Sequence, residues 1–286
     1  MQQTLPPGQR RQMWLFLAPP IVYLIIFFVL PLLIVFAVSF TVPRPNGGID
    51  WVFTFQNYLD ALNPNNPVFA VFGRSLRIGL LTTLFCFLIG YPMAFFIATR
   101  PPRWRAPLLL AVMIPFWTNF VIRTYAWLLL LRPGGLINTA LGLTDNPLQM
   151  VGTEAAVIVV LVYSWLPDMV LPTYAAIERL DKRLVEAAKD LYANEAQAFL
   201  RVVLPLTVPG IAAGSILVFI PALGAYIVPL IIGLGQQPMI GTLLERQFLS
   251  SRNWPFGSAL AFGLMAIMLI GTLIYFRMLR RQTATR

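Results

Sequence analysis

From residue 13 to residue 40 the chain carries no charged side chain at all. A helix rises about 1.5 Å per residue and the hydrocarbon core of a bilayer is about 30 Å thick, so about 20 apolar residues are enough to cross it. A secretory leader would have a shorter apolar core followed by small residues for cleavage; this run is longer and reads as a retained span. Five further apolar runs come after it, at about 76–99, 107–131, 154–176, 209–234 and 256–275. In lipid every backbone polar group must be bonded within the protein, and runs of this length can do that only as helices. The expected fold is an all-α membrane protein with six transmembrane helices. Prolines 19, 20 and 31 are tolerated in the first of them as kinks. The chain divides into a tail (1–12), a six-span domain (13–280) and a second tail (281–286).

Composition agrees. Apolar residues make up 58% and charged residues 11%, against about 25% charged in ordinary soluble domains. The formal charge of +10 is scattered between apolar runs rather than gathered in one patch, so it describes topology and not a nucleic-acid surface. One set of loops carries Arg10, Arg11, Arg100, Arg103, Arg105, the five basic residues from Arg179 to Arg201, and the four arginines of the final tail. The opposite set carries only Arg44, Arg74, Arg77, Arg132, Arg246 and Arg252. The excess of arginine and lysine on the inner side puts both termini and residues 178–205 in the cytoplasm. Six crossings return the chain to its starting side, as the charges require.

Chemistry of the usual enzymatic kinds has little to work with. There is no histidine, and Cys86 is the single cysteine, which excludes His-based catalysis, zinc ligation and an internal disulfide. No GxxxxGK[ST] loop is present to cradle phosphates. No catalytic, metal or cofactor site is expected in this chain. If it takes part in active transport, the energy must come from a partner.

One stretch breaks the apolar pattern. Residues 178–205 read ERLDKRLVEAAKDLYANEAQAFLRVVLP. Leu180, Leu184, Ala187, Ala188 and Leu191 recur at three- and four-residue intervals, which places a narrow apolar stripe along a helix. Asp181 is a candidate N-cap, and Asn194 with Gln197 three residues on forms a candidate capping box. Pro205 and Pro209 end or kink the helix that the box opens. The spacing predicts a short helix–turn–helix outside the bilayer with one apolar edge open to another protein. A plain solvated connector of the same charge would need neither the stripe nor the caps.

Membrane-depth charges need a reason. Asp168 lies within the fourth run and Arg123 within the third. They either pair across the bundle, or Asp168 faces a cationic solute. Around Arg123, Trp117, Asn119, Tyr125 and Trp127 make an aromatic and polar stretch, and Tyr163 and Trp165 approach Asp168 in sequence. These side chains are either an interfacial belt or the lining of a substrate pathway, where aromatic faces hold ammonium groups.

The wording of the polar stretch carries a resemblance. Glu186-Ala187-Ala188, three residues, Tyr192, nine residues, Val202, one residue, Leu204-Pro205 resembles the EAA loop of ABC importer membrane subunits, which has glycine where Tyr192 stands. PFWTNFVIRTYAW, YSWLPDMVLPTYAAIERLDKRLVEAAKDL, FIPALG and MIGTLLERQFLSSRNWPFGSALA extend the likeness over residues 15–280, toward the membrane subunits of spermidine/putrescine importers. The resemblance implies a MetI-like type I ABC importer permease fold, five core spans plus one N-terminal span, with cytoplasmic coupling helices at about 181–204. It implies a bacterial inner-membrane location and polyamine import by alternating access. It also implies these partners: a second permease, two ATPase subunits that bind ATP and Mg, and an extracytoplasmic solute-binding protein docking near Arg252 and Trp254. Coupling to the ATPase falls to Glu186, Ala187, Ala188, Tyr192, Leu204 and Pro205. Relatives commonly carry an apolar aromatic where Asp168 stands, and some an acid where Ala225 stands, so the carboxylate has moved or the ligand differs. The same machinery could carry an opine, a GABA-like or another amino-acid-like solute. An ion-coupled secondary transporter would call for repeated halves with broken helices, and a non-transporting scaffold would have no use for the EAA-like stretch.

Overall fold

Among the described residues, six helices are long and apolar enough to cross a membrane: Phe16–Val38, Pro67–Thr99, Phe120–Ala140, Glu154–Glu178, Glu195–Leu223 and Trp254–Leu273. They come from a computed structural model that describes residues 7–44 and 47–284. Residues 1–6, 285 and 286, parts of the two tails expected from the sequence, lie outside the described residues. Helix Pro7–Leu24 begins inside the first expected tail and helix Trp254–Ala284 runs into the second.

The chain forms two compact units. One comprises the described residues up to Asn66 together with Arg246–Ile267; the other comprises Pro67–Glu245 together with the residues from Met268 onward.

In the first unit the N-terminal span passes through a wide i→i+5 turn at Ile25–Val29 and continues as Leu30–Val38. Its side chains from Phe16 to Ile34 are mostly exposed, Phe16 and Phe27 among the most open, as expected of a helix whose solvent is lipid. Val42–Pro43 and Ile49–Asp50 pair antiparallel, Val42 opposite Asp50 and Pro43 opposite Ile49. Arg44 closes this hairpin on Asp50, Nε to Oδ1 at 2.5 Å. Helix Gln56–Leu62 is fastened to the end of the span by buried Asn57, whose Nδ2 donates to Ser39 O at 3.0 Å and Thr41 O at 2.8 Å. Those two carbonyls lie past the last helical turn and would otherwise be buried without donors. Phe40 stacks on Phe53 at 5.4 Å, and Phe36 meets Phe262 edge-on at 5.1 Å.

The second unit is built on three helices packed together: Pro67–Thr99, Glu154–Glu178 and Leu204–Leu223. Between lipid-bathed helices there is no hydrophobic drive to associate, so contact depends on small residues that let backbones close up. Gly214 is such a residue: a Cβ there would meet Met169 Sδ at 3.0 Å and Met169 O at 3.1 Å. Ile78, Cys86, Val157, Leu161, Met169 and Val218 fill the centre of this packing. Tyr91 OH and Thr207 Oγ1, 3.2 Å apart, add a polar tie between the first and third of these helices.

Two spans differ from the sequence expectation. The third was expected over about 107–131. Instead helix Pro102–Met113 gives way to a tight turn at Ile114–Trp117, Thr118 is extended, and a new helix starts at Phe120. Pro115 cannot donate a backbone N–H, and Asn119 caps the new start, accepting from Val121 N and Ile122 N. The fifth was expected over 209–234. It begins with the capping box at Asn194 and ends at Gly224, with Pro205 just after the wide turn Phe199–Val203 and Pro209 and Pro221 further inside. Pro205 does not end the helix, which passes from that wide turn straight into Leu204–Leu223.

Candidate functional site

The polar stretch folds as its pattern predicts. Helix Glu154–Glu178 stops at Arg179; Asp181 caps the next helix, Lys182–Asp190, its side chain accepting from Arg183 N at 3.0 Å. Asn194 Oδ1 accepts from Gln197 N at 2.8 Å while Gln197 Oε1 accepts from Asn194 N at 3.1 Å, a reciprocal box that starts Glu195–Ala198. A wide turn, Phe199–Val203, then leads into the membrane helix. Helix Glu195–Ala198 is therefore continuous with a span.

Tyr192 occupies the hinge between the two helices. Its φ is +60°, the left-handed conformation that glycine adopts without steric cost. Tyr192 N donates to Lys189 O at 2.9 Å and Ala193 N to Ala188 O at 3.1 Å. These are the two bonds of a Schellman motif, with Tyr192 at the position where glycine is usual. The turn of the resemblance is thus kept despite the substitution. The ring is 98% exposed, so packing does not compensate the backbone strain.

Among the described residues the apolar edge is largely open. Leu184, Leu191 and Leu200 are exposed, Leu180 and Ala188 half-buried, and Glu186 and Ala187 exposed. Glu186 makes no ion pair among the described side chains. Lys189 pairs with Glu195 across the turn at 2.6 Å, a surface contact that contributes little. At the root of the helices a recess of about 590 Å³ is lined by Pro172, Ala176, Leu180, Leu184, Leu206 and Pro209.

The hook is held to the bundle from behind. Phe199 sits edge-on to both Tyr91 and Phe95, each at 5.7 Å, and Leu204 packs in the same cluster. Arg105 donates to Glu178 at 3.2 Å and to Arg100 O at 2.9 Å, tying the end of the fourth span to the basic turn after the second. Sequence reasoning passed over this socket. Tyr91 and Phe199 are more than a hundred residues apart, and nothing local in either marks the contact.

The substrate-pathway candidates are not brought together as one site. Asp168 and Arg123 form no ion pair among the described residues, so of the two readings offered for them the structure gives no support to the pair. Asp168 Oδ2 is buried with no hydrogen-bond partner among the described residues. Arg123 is 8% exposed and donates from Nη1 to Pro115 O at 2.8 Å, serving the carbonyl freed where the third span breaks. Its guanidinium lies 5.5–5.9 Å from the rings of Phe116, Phe120 and Tyr163. Asn119 is a helix cap. Trp117 and Tyr125 are exposed, Tyr163 packs edge-on to Trp127 at 5.2 Å, and Trp165 leaves a buried Nε1 unpaired.

Near the expected docking loop, Arg252 is exposed with φ +50°. Asn253 accepts from Phe256 N at 3.1 Å, and Trp254 Nε1 donates to Phe248 O at 3.2 Å. The loop is ordered by its own contacts, with half of the Trp254 surface open.

A bundle of membrane helices presenting an exposed, doubly capped helix pair defines a multi-pass permease component of a transport system. The chain belongs to the family described as binding-protein-dependent transport system inner membrane component, whose model matches residues 88–283. It is 44% identical over 259 residues to the spermidine/putrescine transport system permease protein PotB of Haemophilus influenzae, covering 89% of this chain and 90% of that protein. It is 41% identical over 258 residues to PotB of Escherichia coli K12, covering 89% and 93%. In fold it is similar to a chain of the crystal structure of a bacterial alginate ABC transporter in complex with alginate pentasaccharide-bound periplasmic protein. That likeness has a TM-score of 0.79 at 18% identity and covers 96% of both chains.

Proposed function

We propose that this chain is the permease subunit of an ATP-driven importer of spermidine/putrescine-class polyamines, working by alternating access across the bacterial inner membrane. The observation that carries this reading is the 44% identity, over nearly the whole of both chains, to a permease named for that transport. Both termini and the 181–204 helices face the cytoplasm, as the arginine distribution favours. Two ATPase subunits with ATP and Mg, a second permease and an extracytoplasmic binding protein complete the assembly, and ATP hydrolysis belongs to the partners. The exposed face around Glu186, Ala187 and Ala188 seats on an ATPase. Tyr192 sets the angle between the helices, and Leu204 and Pro205 carry the motion into the fifth span. The loop at Arg252 and Trp254 receives the binding protein.

Asp168 supports a cationic solute, because its buried, unpaired carboxylate oxygen is complementary to an ammonium group. Trp165 beside it and the more distant Trp117 and Tyr125 offer aromatic faces along the route, while Tyr163 lines the cavity that holds Arg123. Arg123, a cation, does not contact a polycation. Asn119 keeps the third span in place rather than touching solute.

Glu186→Ala tests the coupling. Insertion of the six spans should be unchanged, while co-purification with the ATPase and uptake of labelled spermidine both fall by about tenfold, the loss of one charge-assisted contact at an interface. Unchanged values for both remove the coupling role. Ligand binding by the extracytoplasmic partner separates polyamines from opine-like or GABA-like solutes.

A further inference from the structure

Arg123 is a buried cation without an anion. It makes no ion pair among the described residues, its Nε is buried without an acceptor, and one N–H of its guanidinium donates to the Pro115 carbonyl. Three aromatic faces offset part of the cost of burial, but none of them removes the charge. The guanidinium lines a cavity of about 680 Å³. Apart from Arg123 its walls are without charge, formed by side chains such as Met93, Phe96, Leu108, Val112 and Leu166. No carboxylate lines it, and Asp168 is not among its walls.

A volume of this size lies within the range of ligand sites, and one incoming side chain would leave most of it empty. Its chemistry is that of a long apolar body with an acidic head. Phe96 and Phe116 at its rim are themselves exposed, and the second span, which carries Met93 and Phe96, ends a few residues later at Thr99. The cavity thus neighbours the end of a membrane-crossing helix. From outside, Arg100 lies over the ring of Phe96 at 4.0 Å, adding a second positive charge beside the rim.

We propose that this cavity binds an anionic amphiphile, its carboxylate or phosphate on Arg123 and its acyl chain along the apolar walls, as a site separate from the solute route. The same chemistry is offered by a free fatty acid and by an anionic phospholipid. Occupancy would supply the missing counter-charge and brace the break at residues 114–119, against which the cavity lies.

The assembled importer in phosphatidylcholine nanodiscs provides the test, with three photoactivatable probes: palmitate, phosphatidylglycerol and phosphatidylcholine. Labelling of the peptides spanning residues 92–116 is read by mass spectrometry. At least one anionic probe should label these peptides about tenfold more than phosphatidylcholine does, the value of one charge-assisted contact. Palmitate alone identifies a fatty acid, phosphatidylglycerol alone a phospholipid, and both together a site that reads only the charged head and chain. Arg123→Gln should bring anionic labelling down to the neutral level. Because that change also removes the bond to Pro115, Val112→Trp, which fills the cavity and keeps Arg123, should block labelling on its own. Equal labelling by the neutral lipid overturns the proposal, as does labelling that survives Val112→Trp. Cross-links from these peptides to a second permease in place of lipid would overturn it as well.

Discussion

Replacing Tyr192 by glycine relieves a strain that can be sized from the backbone. A left-handed residue carrying a Cβ costs about 1–2 kcal/mol, and Tyr192 sits at φ +60°. Glycine removes that cost but widens the unfolded ensemble by about 0.5–1 kcal/mol. The net expectation is a hinge stabler by about 1 kcal/mol, equivalent to about fivefold less frequent opening. The reporter is the amide of Ala193, which closes the turn on Ala188 O at 3.1 Å. Its hydrogen exchange, followed by mass spectrometry on the importer in nanodiscs, should slow by about that factor. Tyr192→Ala is the control that separates backbone from ring. It keeps the Cβ and removes a ring that touches almost nothing, since 98% of the residue is exposed, so exchange should stay at the original rate. If glycine does not slow exchange, or alanine slows it equally, the strain argument is wrong.

Two other substitutions probe the fold, one in each unit. Asn57→Ala leaves the buried carbonyls of Ser39 and Thr41 without their donor and should destabilise the first unit by about 2–4 kcal/mol, seen as a lower melting temperature in detergent. Phe199→Ala empties the socket formed by Tyr91 and Phe95. For a half-buried ring the expected cost is about 2 kcal/mol. The sharper consequence is functional: on the proposed coupling role, ATPase activity should persist while its stimulation by loaded binding protein is lost, and retained stimulation would mean that helix Glu195–Ala198 does not act through this socket.

Several elements were legible because their determinants are local. The caps at Asp181 and Asn194 and the apolar stripe from Leu180 to Leu191 are written within a few residues of the structure they make, and all appear in the fold. The likeness of the 186–205 spacing to the EAA loop was readable for the same reason. The break in the third span was not read, because an apolar run looks alike whether or not its backbone bonds are interrupted. Pro115 and Asn119 were visible, but the hydrogen bond that Arg123 donates to Pro115 O across the break depends on how its side chain folds back. Whether the opposite charges of Arg123 and Asp168 pair was left open by the sequence, which gives depth along a helix but not the direction a side chain takes from a packed bundle.

Hydropathy and capping, both one-dimensional, determined on their own that this chain is a six-helix membrane protein with a polar hook between its fourth and fifth spans. Lipid leaves the backbone no alternative to helix, and a capped helix end is chosen by side chains within reach of its own amides. What only the tertiary structure decided is which residues hold that hook and which charges stay alone. Those outcomes depend on the close approach of helices that small residues such as Gly214 permit, a three-dimensional fit that no stretch of the chain encodes by itself.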